Sequence, residues 1–235
     1  GLAKVSDSFK FPNVDFNLNV NLVFNILNAI KLSQQQTYFV NLSSAAVYGN
    51  PIRLPITETQ PKEPISPYGF HKLMAENAVD SFITNFGIKA TSLRIFSAYG
   101  AGLRKQLFWD LFQKCEASNR ITLFGTGEES RDFIEVSDLV QIIESIIENK
   151  PSEKKINVAN GVEWRLKDVA AIFADQFEEI TGKEIEVNFN NKIDLGAPKN
   201  WRADVETLND LGYKPAISLS DGINNYIKWC ITQNG

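Results

Sequence analysis

Short β-branched runs alternate with longer amphipathic stretches along almost the whole chain, and this alternation limits the fold more than any other feature. Phe16, Val20, Val23, Leu27 and Ile30 recur at helical spacing over 15–32. "TYFVNLSS" (37–44) reads as a buried strand closing on small polar residues. A Pro-rich loop of about twenty residues follows, longer than a connector needs to be, and such loops often carry function. "SPYGFHKLMAEN" (66–77) opens a helix: Ser66 can cap it and Pro67 suits its first turn. Apolar residues continue at Leu73, Ala78, Val79, Phe82 and Ile83. The pattern then predicts a strand at 89–96 ("KATSLRIF"), a helix over 104–118 and a short strand "ITLFG". "RDFIEV" leads into a helix near 137–150, followed by a strand at 154–160 ("KKINVAN"). A helix over 166–181 stops at Gly182, "EIEVNFN" is a strand, and a helix over about 219–232 closes the pattern. Strand–helix alternation of this length requires parallel pairing with helices on both faces, an α/β doubly wound sheet. Ligands in such sheets bind at the carboxyl ends of the strands.

Composition bounds the function. The 235 residues are 43% apolar, enough to bury a sizeable core in one or two domains. The net charge of −4 comes without a basic stripe, which argues against a nucleic-acid partner. No apolar run reaches bilayer length and no signal peptide is visible, so no membrane partner is expected. Cys115 and Cys230 lack metal-ligand spacing and read as reduced, partly buried thiols of a cytoplasmic protein. The single histidine, His71, cannot build a zinc site, so no metal is expected; it reads as a surface residue, with substrate contact the alternative. Asp138 is expected in the first turn of a helix capped by Ser137.

Tyr68 and Lys72 stand four residues apart and share a helix face. "LSS" (42–44) ends the strand before their helix, and "FSAYG" (96–100) ends the strand after it, so both strand ends face one crevice. Ser44, Tyr68 and Lys72 are expected to converge there. A phenol with a pKa near 10 is a poor base at neutrality, and a neighbouring ammonium is expected to lower that pKa. A phenolate so formed can take the proton of a sugar hydroxyl while the carbon loses hydride to a nicotinamide, with Ser44 hydrogen-bonding the same hydroxyl.

"NLSSAAVYGN", "SPYGFHKLMAE", "LRIFSAYGAG" and "LFGTGEESRDFIEVSDL" together resemble the extended short-chain dehydrogenase/reductases, and within them the NAD-dependent nucleotide-sugar epimerases and dehydratases. The order and spacing of the four blocks match, over the whole chain. The resemblance implies a Rossmann-type domain formed by 1–100 with 137–160, and a smaller α/β substrate domain formed by 101–136 with 161–235. It implies Ser44, Tyr68 and Lys72 as the catalytic set, NAD as cofactor, a nucleoside-diphosphate sugar as substrate, and a homodimer. Cofactor contacts would come from Gly1, Leu2, Asn19, Ser43, Tyr68, Lys72 and Phe96. Substrate contacts would come from Ser44, Ser97, Gln106, Leu107, Phe124 and Arg131, with Arg131 on the diphosphate. For Arg131 the plain alternative is an ion pair with Glu128 or Glu129, for Asn19 a helix-face amide, and for Phe124 a place in the core.

Departures from the family shape the expected chemistry. These 235 residues carry no glycine-rich pyrophosphate turn after an opening strand, and "GLAKVSDSFK" resembles a segment that follows the fourth strand in relatives. The amino-terminal part of the Rossmann domain is therefore expected to be missing, and tight NAD binding is not expected of these residues alone. Ser97 stands where Asn is common, and Glu135 where His is common. After Ser44 come Ala45 and Ala46, where 4,6-dehydratases carry an Asp-Glu pair; alanine cannot move a proton. The expected reaction is 4-epimerisation through a transient 4-keto sugar. A dehydratase or reductase of the same family is the alternative, and a non-catalytic sugar-nucleotide sensor is the alternative from another class.

Overall fold

The computed structural model describes residues 3, 5–33, 36–192 and 198–234. In chain order the elements begin with α1 (Val5–Lys10), α2 (Pro12–Phe16), a π-helical turn (Asn17–Asn21) and α3 (Leu22–Ser33). Next come β1 (Tyr38–Ser44), a 3-10 turn (Ala45–Val47), α4 (Pro67–Phe86), β2 (Lys89–Ile95), β3 (Ser97–Tyr99), α5 (Gln106–Ala117) and β4 (Arg120–Leu123). β5 (Ser130–Arg131), β6 (Phe133–Glu135), α6 (Val136–Asn149), β7 (Lys155–Val158), β8 (Trp164–Arg165) and α7 (Leu166–Thr181) follow. β9 (Glu186–Phe189), α8 (Glu206–Asp210) and α9 (Leu219–Asn234) complete the order.

The central sheet is parallel, in the order β1-β2-β7. Ser44 pairs with Ile95 and Ile95 with Val158, so the three carboxyl ends finish level. Alternate residues of β2 serve opposite faces, as the period of two requires. Ala90 joins Leu27, Val79 and Phe82 under α3 and α4, whereas Leu93 joins Ile142, Ile146 and Ile156 under α6. A second core lies between α5, α7 and α9, where Phe108, Phe112, Phe173, Phe177 and Tyr226 pack together. Gly222 is required there: a Cβ on it would fall 2.1 Å from the Tyr99 hydroxyl. β4 and β9 pair in parallel beside this core. The Pro-rich loop is anchored, with Ile56 bridging to Ala203 and Trp201 donating to the Gly49 carbonyl at 3.0 Å.

One local expectation is corrected. α6 is capped by Glu135, not Ser137: the Glu135 carboxylate accepts from the Ser137 N–H at 2.5 Å. Asp138 stands in the first turn of α6, as expected; it is fully buried and accepts the backbone N–H groups of Ala216 and Ile217. That carboxylate ties the segment before α9 to the sheet. Cys115 and Cys230 are completely buried free thiols. No described helix is long and apolar enough to cross a membrane.

Candidate active site

β1 delivers Ser44 to the carboxyl edge of the sheet in an extended conformation, and its hydroxyl accepts the Ala46 N–H at 3.2 Å to start the 3-10 turn. α4 starts at Ser66, whose hydroxyl accepts the Gly69 N–H at 3.2 Å, with Pro67 in the first turn. The Tyr68 N–H, left over at a helix start, donates to Ser8 Oγ of α1 at 3.1 Å. Gly69 brings the helix against the 3-10 turn: a Cβ there would lie 2.5 Å from the Ala46 carbonyl oxygen. This close approach sets the Tyr68 phenol beside Ser44, whose hydroxyl favours the ionised phenol. One turn later, Lys72 donates from Nζ to the Leu42 carbonyl at 2.9 Å, and its ammonium stands 5.7 Å from the centre of the Tyr68 ring.

The electrostatics differ from the sequence expectation. Tyr68 is 7% exposed, and its pKa is raised, not lowered. Burial is the largest cause, the neighbouring Ser44 hydroxyl opposes it, and the charge of Asp15 adds to the rise. Burial drains charge from Lys72 as well, against the pull of Asp15 and Glu76. Desolvation of the charged form thus outweighs the Ser44 hydroxyl at Tyr68 and the two carboxylates at Lys72.

A buried polar network supports the strand end. Ser43 Oγ donates to Glu76 at 2.6 Å, and Arg94 grips the same carboxylate through Nε at 3.0 Å and Nη2 at 2.8 Å. Arg94 Nη1 reaches the Tyr48 hydroxyl at 2.7 Å, which donates to Asn157 Oδ1 at 2.7 Å. The Ser43 hydroxyl is therefore committed inward, toward α4.

These groups open on a cavity of about 660 Å³. Ser43, Ser44, Tyr68, Lys72, Phe96, Ser97, Gln106, Leu107 and Arg131 all line it, so most of the expected site residues are brought together. Lys72, Lys105 and Arg131 supply positive charge, and no Asp or Glu lies among the described lining residues. Arg131 stands over the Trp201 ring at 5.6 Å and donates to the carbonyls of Ser130 and Lys199. Glu128 pairs with Lys167, and Glu129 accepts the N–H groups of Thr126 and Gly127. Phe124 lies in an adjoining cavity of about 440 Å³, which shares Arg131. Asn19 is buried and donates to Asp15 at 3.1 Å; it is not among the cavity-lining residues. Gly1 and Leu2 lie outside the described residues.

His71 is not a surface histidine: its side chain is 12% exposed and pairs with buried Asp15, Nδ1 to Oδ2 at 2.6 Å. Sequence reasoning also missed Gly69, Asp15, Glu76 and Arg94. Glycine straight after the tyrosine was a readable signal for close packing; the other three depend on contacts between distant segments.

The sequence pattern of the NAD dependent epimerase/dehydratase family matches residues 1–159. The chain belongs to that family. Among its relatives, the uncharacterized UDP-glucose epimerase YtcB of Bacillus subtilis is 32% identical over 90% of this chain and 66% of its own length. A UDP-N-acetylglucosamine 4-epimerase from Methanobrevibacter ruminantium, solved with UDP-N-acetylmuramic acid, superposes with a TM-score of 0.89 at 25% identity, over 99% of this chain and 75% of that one. A UDP-glucuronic acid 4-epimerase from Bacillus cereus, solved with UDP-glucuronic acid and NAD, gives 0.81 at 27% identity, over 92% and 68%. The chain thus has the family's Rossmann-type α/β fold and spans about two thirds to three quarters of the length of these members.

Proposed function

We propose that the chain carries the catalytic part of an NAD-dependent nucleotide-sugar 4-epimerase, with Ser44, Tyr68 and Lys72 as the reacting set. The observation that carries this reading is the buried Tyr68 phenol. It stands beside Ser44, has Lys72 one turn away, and opens on a cavity with no carboxylate among its described lining residues.

The residues present fit the nicotinamide end of the cofactor: a hydroxyl, a phenol and an ammonium stand together at the level carboxyl edge of a parallel sheet. Lys72 would hold the ribose, and Phe96 would border the ring. When bound, NAD supplies the hydride acceptor and a positive charge beside the phenol. Tyr68 would take the proton of the sugar 4-hydroxyl and return it after the sugar turns over, while Ser44 holds that oxygen. Since the proton and the hydride both come back, the cycle leaves the cofactor as it began. Arg131 would bind the diphosphate, its guanidinium fixed by two backbone carbonyls and the Trp201 face. Phe124 would border the base in the adjoining cavity. The part around α5, α7 and α9 would act as the substrate domain, and the sheet with α3, α4 and α6 as the cofactor domain.

Ala45 is buried and Ala46 lines the cavity, so the positions after Ser44 offer no group to work at C5 or C6. This favours epimerisation over dehydration. The full-length protein, incubated with UDP-, GDP- or dTDP-sugars in D2O, tests it by NMR. The expected product is inverted at C4 with protium kept at C5. Deuterium at C5 with loss of water would make the protein a dehydratase.

A further inference from the structure

A second ionisable pair lies behind the phenol. Asp15, near the end of α2, is 1% exposed and holds His71 Nδ1 through Oδ2 at 2.6 Å. Its other oxygen receives Asn19 Nδ2, from the π-helical turn, at 3.1 Å. The Phe16 ring meets the imidazole edge-on at 5.4 Å. His71 stands between Tyr68 and Lys72 on α4, and α1, α2, the π-helical turn and α3 all pack against that helix.

The other charged groups on these elements have different surroundings. α1 carries Asp7 and Lys10, and α3 carries Lys31, whose ammonium stands over the Phe86 ring at the far end of α4. On α4 itself, Glu76 is matched by Arg94, and Asp80 by Lys155. β1 carries no charged residue. Among the described residues, Asp15 is the one carboxylate whose charge acts on both Tyr68 and Lys72, holding the proton on the first and the charge on the second.

We propose that the Asp15–His71 pair is a positioning pair that sets the pH window in which Tyr68 and Lys72 work. Neutral imidazole leaves the pair with a net negative charge behind the phenol; imidazolium leaves it balanced. A positive partner beside Asp15 offsets the charge that opposes phenolate formation. This rests on the reading of Tyr68 as the base.

Tyrosine labelled with carbon-13 at Cζ reports the ionisation of Tyr68 directly, without substrate, in the full-length protein. Loss of one resonance in Tyr68→Phe assigns it. Asp15→Asn removes the carboxylate charge, and His71→Arg balances it permanently, so both should bring the Tyr68 midpoint down, by about one pH unit. Both limbs of the kcat/KM profile should move to lower pH in Asp15→Asn, whereas a merely structural loss would lower the profile without moving it. A Tyr68 midpoint unmoved or raised in either variant would overturn the proposal. The titration needs no turnover. Turnover surviving in Tyr68→Phe would sink the catalytic reading separately, while the midpoints still decide whether the pair controls the phenol.

Discussion

Replacing Glu76 by leucine should destabilise the protein severely, and the structure gives the size of the effect. Glu76 is 1% exposed and takes the guanidinium of Arg94, itself 1% exposed, through both oxygens, as well as the Ser43 hydroxyl. Its removal leaves a positive charge buried with, among the described residues, only the Tyr48 hydroxyl and the Glu58 carbonyl as other acceptors. Stranding one partner of a buried ion pair costs about 3–5 kcal/mol. At about 2–4 °C per kcal/mol for a chain of this size, the melting temperature should fall by about 10 °C. Urea unfolding followed through the four tryptophans gives the free energy. Replacing Arg94 by methionine in the same protein removes the stranded charge and should recover more than half of the loss, because most of the penalty is the unpaired ion rather than the missing attraction. A loss below about 1 kcal/mol in Glu76→Leu, or a double variant weaker than the single one, would refute the reasoning.

Gly69→Ala would put a methyl 2.5 Å from the Ala46 carbonyl oxygen, so α4 must move off the 3-10 turn. Stability should fall by about 1–3 kcal/mol, and kcat should drop further than folding explains, because the Tyr68–Ser44 contact is what the helix position secures. Comparing kcat with the folded fraction checks this. Arg131→Ala should weaken nucleoside diphosphate binding by about 2–4 kcal/mol in calorimetry, with kcat little changed, since the diphosphate contact is made equally in ground and transition states. Equal binding of UDP, GDP and dTDP to both proteins would remove Arg131 from the site. In the pH profile, kcat/KM should rise past neutrality, because burial and Asp15 keep the phenol protonated. It should fall again below the ordinary lysine range, because burial lowers Lys72. A profile flat from about pH 6 to pH 9 would contradict both assignments.

Much of the fold was legible in the sequence because periodicity reports burial directly. The strand run "KATSLRI" and the cap residues Ser66 and Gly182 act within a few residues of themselves, and the structure follows them. The cavity was legible for a similar reason: strand ends in a parallel sheet are brought level by pairing, so "LSS" and "FSAYG" had to meet. What stayed hidden depends on segments far apart in the chain. His71 finds Asp15 across 56 residues, and Glu76 and Arg94 meet only when α4 crosses β2. The protonation of Tyr68 was misjudged on the same account, since a spacing of four to lysine is local while burial comes from the whole tertiary structure. Glu135 replaced Ser137 as cap because the last residue of β6 turns its side chain back to the helix start.

The central claim is that Tyr68 is the acid–base group of a nucleotide-sugar epimerase, and Tyr68→Phe tests it most directly. The ring, its packing and the Lys72 contact to the Leu42 carbonyl all survive this change; only the hydroxyl is lost. Turnover of the full-length protein should fall by about 10²–10⁴-fold, while nucleotide-sugar affinity, measured by calorimetry, should hold. Turnover within about threefold of the wild-type rate would contradict the account, because a general base cannot be removed at so small an effect.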